Sequence, residues 1–149
     1  MSKKVLQLSG IAKTFLQGTR PLEILKKVDL IIYGGEIVGL VGPSGSGKST
    51  LLQIAGLLEN PQEGTVSILD KAMNLSNEQG RTKTRRSDIG FVYQYHHLLD
   101  EFSALENVLL PQLIAGKDRD KALVVAEELL ESLELSERSG HRPARLSGG

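Results

Sequence analysis

The chain has 149 residues, 40% hydrophobic and 24% charged, an ordinary balance for one globular domain. Lys+Arg 18 offsets Asp+Glu 18, so bulk attraction to nucleic acid is not expected. There is no cysteine, which excludes a disulfide frame and a thiolate metal site and suits a reducing compartment. No apolar run reaches the length of a membrane span, and the start Met-Ser-Lys-Lys-Val-Leu-Gln-Leu lacks the sustained apolar core of a secretory signal.

In chain order, Val5 to Leu8 alternates as a strand, and Lys13-Thr14-Phe15 follows a break at Gly10. Phe15 has two readings: a core or edge residue of a small sheet, which the local pattern favours, or a flat face on which a base stacks. Gly18 to Pro21 is a turn. Leu22 to Ile32 reads as one or two strands, most apolar at Val28–Ile32. Gly34-Gly35 turns the chain into Ile37–Val41, a short apolar run that reads as a buried strand.

The next stretch carries the chemistry. Gly42-Pro43-Ser44-Gly45-Ser46-Gly47-Lys48-Ser49-Thr50 fits G-x-x-x-x-G-K-[ST], the phosphate-binding loop of nucleotide hydrolases. A triphosphate needs several donors at once, and glycines let successive N–H groups point inward. Lys48 adds a point charge for the outer phosphates, and the Ser49 hydroxyl suits Mg²⁺. Ser49 to Leu58 reads as a helix with Leu51, Leu52, Ala55 and Leu58 near helical spacing. Its positive end adds about 0.3–1 kcal/mol per exposed anion contact. Strand, loop and helix in this order give the motif its required context. The loop alone does not choose among kinases, GTPases and transport ATPases.

Asn60 to Gly64 is a loop, Thr65 to Leu69 a strand, and Asn77 to Arg86 a short polar helix. The basic run Arg81, Lys83, Arg85, Arg86 has no interleaved aromatics and reads as a solvated face. Ile89–Tyr93 reads as a second core strand with Gln94 just past it. A polar residue at the C-terminal end of a parallel strand points toward the ligand crevice, so Gln94 reads equally as a metal or water contact or as a plain strand-end amide. Adjacent His96 and His97 point apart on an extended chain and have no third ligand nearby. The loop from Tyr95 to Phe102 therefore reads as a contact surface.

Ser103-Ala104-Leu105-Glu106 has capping-box spacing. A helix then runs to about Ala115 with Leu105, Val108, Leu109 and Leu113 on one face, and Pro111 is expected to kink it. A second helix runs from about Asp118 to Leu133, with Ala122, Val125, Ala126, Leu129, Leu130 and Leu133 inward. Leu146-Ser147-Gly148-Gly149 follows; Ser-Gly-Gly could open a helix and present an anion site, or be a frayed tail.

Together, GPSGSGKSTLL, the glutamine of FVYQ and the terminal LSGG resemble the ATP-binding-cassette ATPases of membrane transporters, across the whole chain. FVYQYHHLLDEFSALENVLLP and GHRPARLSGG are most similar to the lipoprotein-releasing branch, with macrolide-export and cell-division ATPases as alternatives. The resemblance implies an α/β P-loop NTPase with a small antiparallel β subdomain, a nucleotide core to about residue 94, and an inserted helical subdomain over about 95–149. It implies ATP and Mg²⁺ as ligands, Phe15 as the adenine-stacking aromatic, Ser49 and Gln94 as Mg²⁺ contacts, and Leu146–Gly149 as a signature serving the ATP of a head-to-tail partner. It implies membrane subunits docking near Gln94–Phe102 and a peripheral place on the cytoplasmic face of a bacterial inner membrane. Family members continue past LSGG into a strand ending in a metal-binding Asp, a catalytic Glu and later a switch His, so this chain resembles an N-terminal portion without its own catalytic group. A P-loop kinase leaves LSGG unexplained, and a binding-only remnant is the remaining rival. The 149 residues are expected to be marginally stable, with strand edges exposed, and not to turn over ATP. Steady ATPase activity of the purified chain, abolished by Lys48→Ala, would overturn that expectation.

Overall fold

A computed structural model of the chain describes residues 3–95 and 97–146. The chain divides into two compact units, Met1–Gly90 and Phe91–Gly149.

The first unit is built on a long hairpin. Strand β1 (Lys4–Gln17) pairs antiparallel with β2 (Arg20–Tyr33), from Lys4 opposite Tyr33 to Gln17 opposite Arg20. Gly10 does not break β1. The register shifts between Leu8 and Ile11, Gly10 takes φ 62, and its N–H donates to Asp29 Oδ1 at 2.8 Å. A bulge absorbs the extra residue and pairing resumes beyond it. On its other edge β1 pairs antiparallel with β3 (Glu63–Ile68), and β4 (Lys71–Ala72) closes the order β2-β1-β3-β4. Gly64 (φ 98) passes so close to the bulge that a Cβ there would lie 2.6 Å from the carbonyl oxygens of Ser9 and Gly10.

Helix α1 (Lys48–Ala55) lays Leu51 and Ile54 on this sheet. They pack with Leu8, Ile11, Leu25, Leu57, Val66 and Ile68 into one buried cluster. The helix stops earlier than its periodicity suggests because Leu57 turns left-handed (φ 60). The Leu57 N–H then bonds the Ile54 carbonyl at 3.0 Å and the Leu58 N–H the Gln53 carbonyl at 2.8 Å, a paired C-terminal cap normally given to glycine. A leucine in that conformation costs about 1–2 kcal/mol, and its complete burial offsets the strain.

Helix α2 (Glu78–Asp88) starts from Asn77, whose side chain accepts the Gly80 N–H at 3.0 Å. Its basic run is not a uniformly solvated face. Arg81 donates to Asn60 Oδ1 at 2.6 Å and pairs with Glu78, and Arg85 donates to the Leu57 carbonyl at 2.7 Å. Lys83 and Arg86 remain exposed.

Two expected core strands do not form. Residues 37–41 and 89–93 are irregular, with Ile37, Val41 and Val92 almost fully exposed. A strand is stable only through ladder partners, and neither run joins the sheet β2-β1-β3-β4. Among the described residues nothing offers either run a parallel neighbour.

In the second unit Ser103 caps α3 (Ala104–Ile114). Its Oγ accepts the Glu106 N–H at 3.2 Å, and Glu106 Oε2 accepts the Ser103 N–H at 2.7 Å. The next two N–H groups, of Ala104 and Leu105, donate to the carbonyls of His141 (2.8 Å) and Ser139 (2.9 Å). Pro111 sits within the helix, which continues to Ile114. Helix α4 (Arg119–Ser132) packs on α3 through Ala122, Ala126 and Leu109, where small side chains let the helices approach closely. Val125, Leu129 and Leu133, expected on the inner face, are at least partly exposed.

Gly64→Ala is expected to destabilise the first unit by at least about 2 kcal/mol, since strain at positive φ adds to a backbone clash. The urea midpoint of the variant checks this.

Candidate nucleotide-binding site

The phosphate loop leads directly into α1. The Ser46 N–H closes a turn on the Pro43 carbonyl at 3.3 Å, and the Leu51 N–H makes the first helical bond to Gly47 at 2.9 Å. Between these bonds, the N–H groups of Gly47, Lys48 and Ser49 donate to nothing among the described residues. These are the unpaired donors of a helix start, and they come at the positive end of the dipole.

Gly47 caps the helix in the left-handed region (φ 88). A Cβ on it would meet Ile24 Cγ2 at 2.9 Å, Leu25 Cδ2 at 3.0 Å and the Ile24 carbonyl at 3.1 Å. The loop is thus seated against β2, and glycine is required both for the turn and for the close approach. Lys48 folds back across the loop. Its Nζ donates to the carbonyls of Gly42 at 2.8 Å and Pro43 at 2.7 Å, with Ser46 Oγ at 3.5 Å. One cation therefore spans both arms of the loop, beside free N–H donors. Ser49, in the first turn of α1, carries the hydroxyl expected to meet a divalent cation, a hard oxygen donor of the type Mg²⁺ prefers.

Phe15 stands near the end of β1, opposite Leu22, with 43% of its surface exposed. It is not a core side chain, contrary to the reading its local pattern favours. The Lys13 ammonium lies 5.2 Å from the ring centroid. Loop 59–62, just beyond α1, holds this part of β1. Lys13 Nζ donates to Glu59 Oε1 at 2.5 Å and to the Asn60 carbonyl at 2.6 Å. The Gln62 amide accepts the Thr14 N–H and donates to the Thr14 carbonyl at 2.9 Å. Sequence reasoning missed Lys13, Glu59 and Gln62; the only hint was a lysine two residues before an aromatic.

Gln94 belongs to the second unit and is exposed at a bend. Without a strand at 89–93, the strand-end argument for its orientation fails, and its role stands on family resemblance alone. Nearby, Tyr93 stacks on Phe91 (5.4 Å) and meets His97 edge-on (5.1 Å). Asn107 organises the following loop, accepting the Leu99 N–H at 2.9 Å and donating to the carbonyls of Leu99, Phe102 and Ser103. Leu146 is half-buried, while Ser147, Gly148 and Gly149 lie outside the described residues.

A glycine loop seated on a sheet, opening into a helix start with free N–H donors and an overarching lysine, defines a P-loop nucleotide-binding protein of α/β type. The chain belongs to the ABC transporter family, whose family model matches residues 25–149. It is 55% identical over all its residues to the lipoprotein-releasing system ATP-binding protein LolD of Paramagnetospirillum magneticum, covering 66% of that protein. It is 54% identical to a LolD protein of Rhodospirillum rubrum, covering 66% of it. The chain thus spans just under two thirds of the length of these relatives. Among solved structures, the dimeric post-hydrolysis state of the ATP-binding cassette MJ0796 bound to ADP and Pi superposes with a TM-score of 0.88 at 39% identity, over 96% of this chain and 63% of that one.

The Lys13 ammonium holds the Glu59 carboxyl below the usual glutamate range, chiefly by its hydrogen bond. A carboxyl whose folded pKa is depressed contributes stability above its unfolded value and loses it as pH falls toward the folded one. Stability is therefore expected to decline as pH drops below the ordinary glutamate range, and Glu59→Gln to flatten that slope. Urea midpoints of both proteins across the acid range check this.

Proposed function

We propose that the chain binds ATP through Gly42–Thr50 and forms part of the ATPase subunit that powers lipoprotein release from a bacterial inner membrane. The observation that carries the reading is the Lys48 bridge over a loop whose following N–H groups are free. An anion placed there accepts backbone donors and competes for the ammonium with two neutral carbonyls. Charge-assisted bonds favour the anion. Ser49 would hold Mg²⁺, and the ion supplies charge neutralisation across the phosphates; for Gln94 a metal contact is what the family resemblance implies. Phe15 would stack on the adenine, as its exposure permits. The first unit is then the nucleotide core with its β subdomain, and the second the helical subdomain.

The likeness to LolD proteins at 51–55% identity supports lipoprotein release as the cargo branch over macrolide export or cell division. The dimeric state of the cassette bound to ADP and Pi supports a paired arrangement; the family resemblance makes the pair head to tail, with Leu146, Ser147, Gly148 and Gly149 serving the partner's ATP. Exposed Tyr95, Leu99 and Phe102, shaped by Asn107, suit docking by an integral membrane subunit. No described helix is long and apolar enough to cross a membrane, and attachment through such a partner would hold the protein peripherally on the cytoplasmic face.

Lys48→Ala is expected to weaken binding of Mg·ATP about ten- to a hundredfold, the loss of one charged hydrogen-bonding group. Titration calorimetry checks it, and unchanged affinity would overturn the loop as the site. Copurification with a membrane subunit whose depletion strands lipoproteins in the inner membrane tests the cargo assignment.

A further inference from the structure

Lys13 is the most buried charged residue among the described ones, at 9% exposure. Burial of an ammonium demands compensation, and three groups supply it: the Glu59 carboxylate at 2.5 Å, the Asn60 carbonyl at 2.6 Å and the Phe15 ring at 5.2 Å. Two of these sit on the loop that leaves α1, and α1 begins at the phosphate loop. The third is the half-exposed aromatic on β1. Gln62 clamps the intervening Thr14 from the same loop.

We propose that Lys13 is a positioning residue for nucleotide: pinned by Glu59 and Asn60, it orients the Phe15 ring at a set distance from the phosphate loop. A cation against one face of the ring restricts its rotation and leaves the accessible part of the ring presented for stacking. The end of α1 and the base platform then move as one piece, so base and triphosphate are bound at a defined separation. The inference rests on Phe15 being the adenine platform. It adds a residue whose removal costs affinity for the base and not for the phosphates.

The test compares Mg·ATP with Mg·tripolyphosphate, which lacks the base, by calorimetry at neutral pH on the chain and its variants. Lys13→Met is expected to lower the ratio of the two affinities about two- to fivefold, with tripolyphosphate binding unchanged. Lys13→Arg should restore most of the ratio, and Phe15→Ala should lower it about fivefold or more. Equal weakening of both ligands by Lys13→Met would make the lysine a general structural strut and overturn the proposal. So would an unchanged ratio in Lys13→Met when Phe15→Ala lowers it. If Phe15→Ala leaves the ratio unchanged, the platform reading itself falls, and the role of Lys13 with it. Should Lys13→Met not fold, as judged by circular dichroism, Glu59→Gln decides by the same ratio: a fall supports the proposal and no change overturns it.

Discussion

The burial of α1 on the antiparallel sheet is the contact on which the first unit depends. Leu51, Ile54 and Leu57 seal the helix against Leu8, Ile11, Leu25 and Val66. That contact fixes where the helix begins, and so where its free N–H groups are aimed. At Gly47 the loop sits so near Ile24 and Leu25 that a Cβ would not fit. A phosphate site of backbone donors is only as ordered as the helix that carries it. Here the ordering comes from the aliphatic packing of α1 on the sheet.

The far end of the same helix is held by polar contacts. Leu57 adopts a conformation usually left to glycine, and Arg85 caps its carbonyl. Arg81 bonds Asn60, and Asn60 accepts from Lys13. A path of hydrogen bonds thus runs from α2 through loop 59–62 to the strand bearing Phe15. The hydrophobic contact orients the phosphate loop, and the polar path orients the aromatic. In the second unit the same division holds on a smaller scale. Ala122 and Ala126 set the helix spacing, while the capping box and Asn107 shape the exposed loop before α3.

The apolar runs at 37–41 and 89–93 show what a strand requires. Their composition is that of buried parallel strands, and Ile37, Val41 and Val92 nonetheless face solvent. Hydrophobicity makes a segment suited to burial, but the ladder comes from neighbours. The hairpin β1–β2 and strand β3 pair with one another, and neither run joins their sheet. Exposed leucine and valine on α4 make the same point for helices: the periodicity that predicts an inner face does not supply the surface to cover it.

Much of the candidate site was legible because its chemistry is local. Nine consecutive residues carry the donors, the lysine and the hydroxyl, and a helix start needs no distant partner to turn its N–H groups outward. The capping box at Ser103 and the turn at Gly18 were legible for the same reason: each spans only a few residues. What depended on contacts across the chain was decided by the tertiary structure alone. The bulge that carries β1 through Gly10, the inward turn of Arg81 and Arg85, and the pairing of Lys13 with Glu59, 46 residues away, have no local pattern. Whether an apolar run becomes a strand is of the same kind, since the energy of a ladder or a buried ion pair lies in a partner that the segment does not contain.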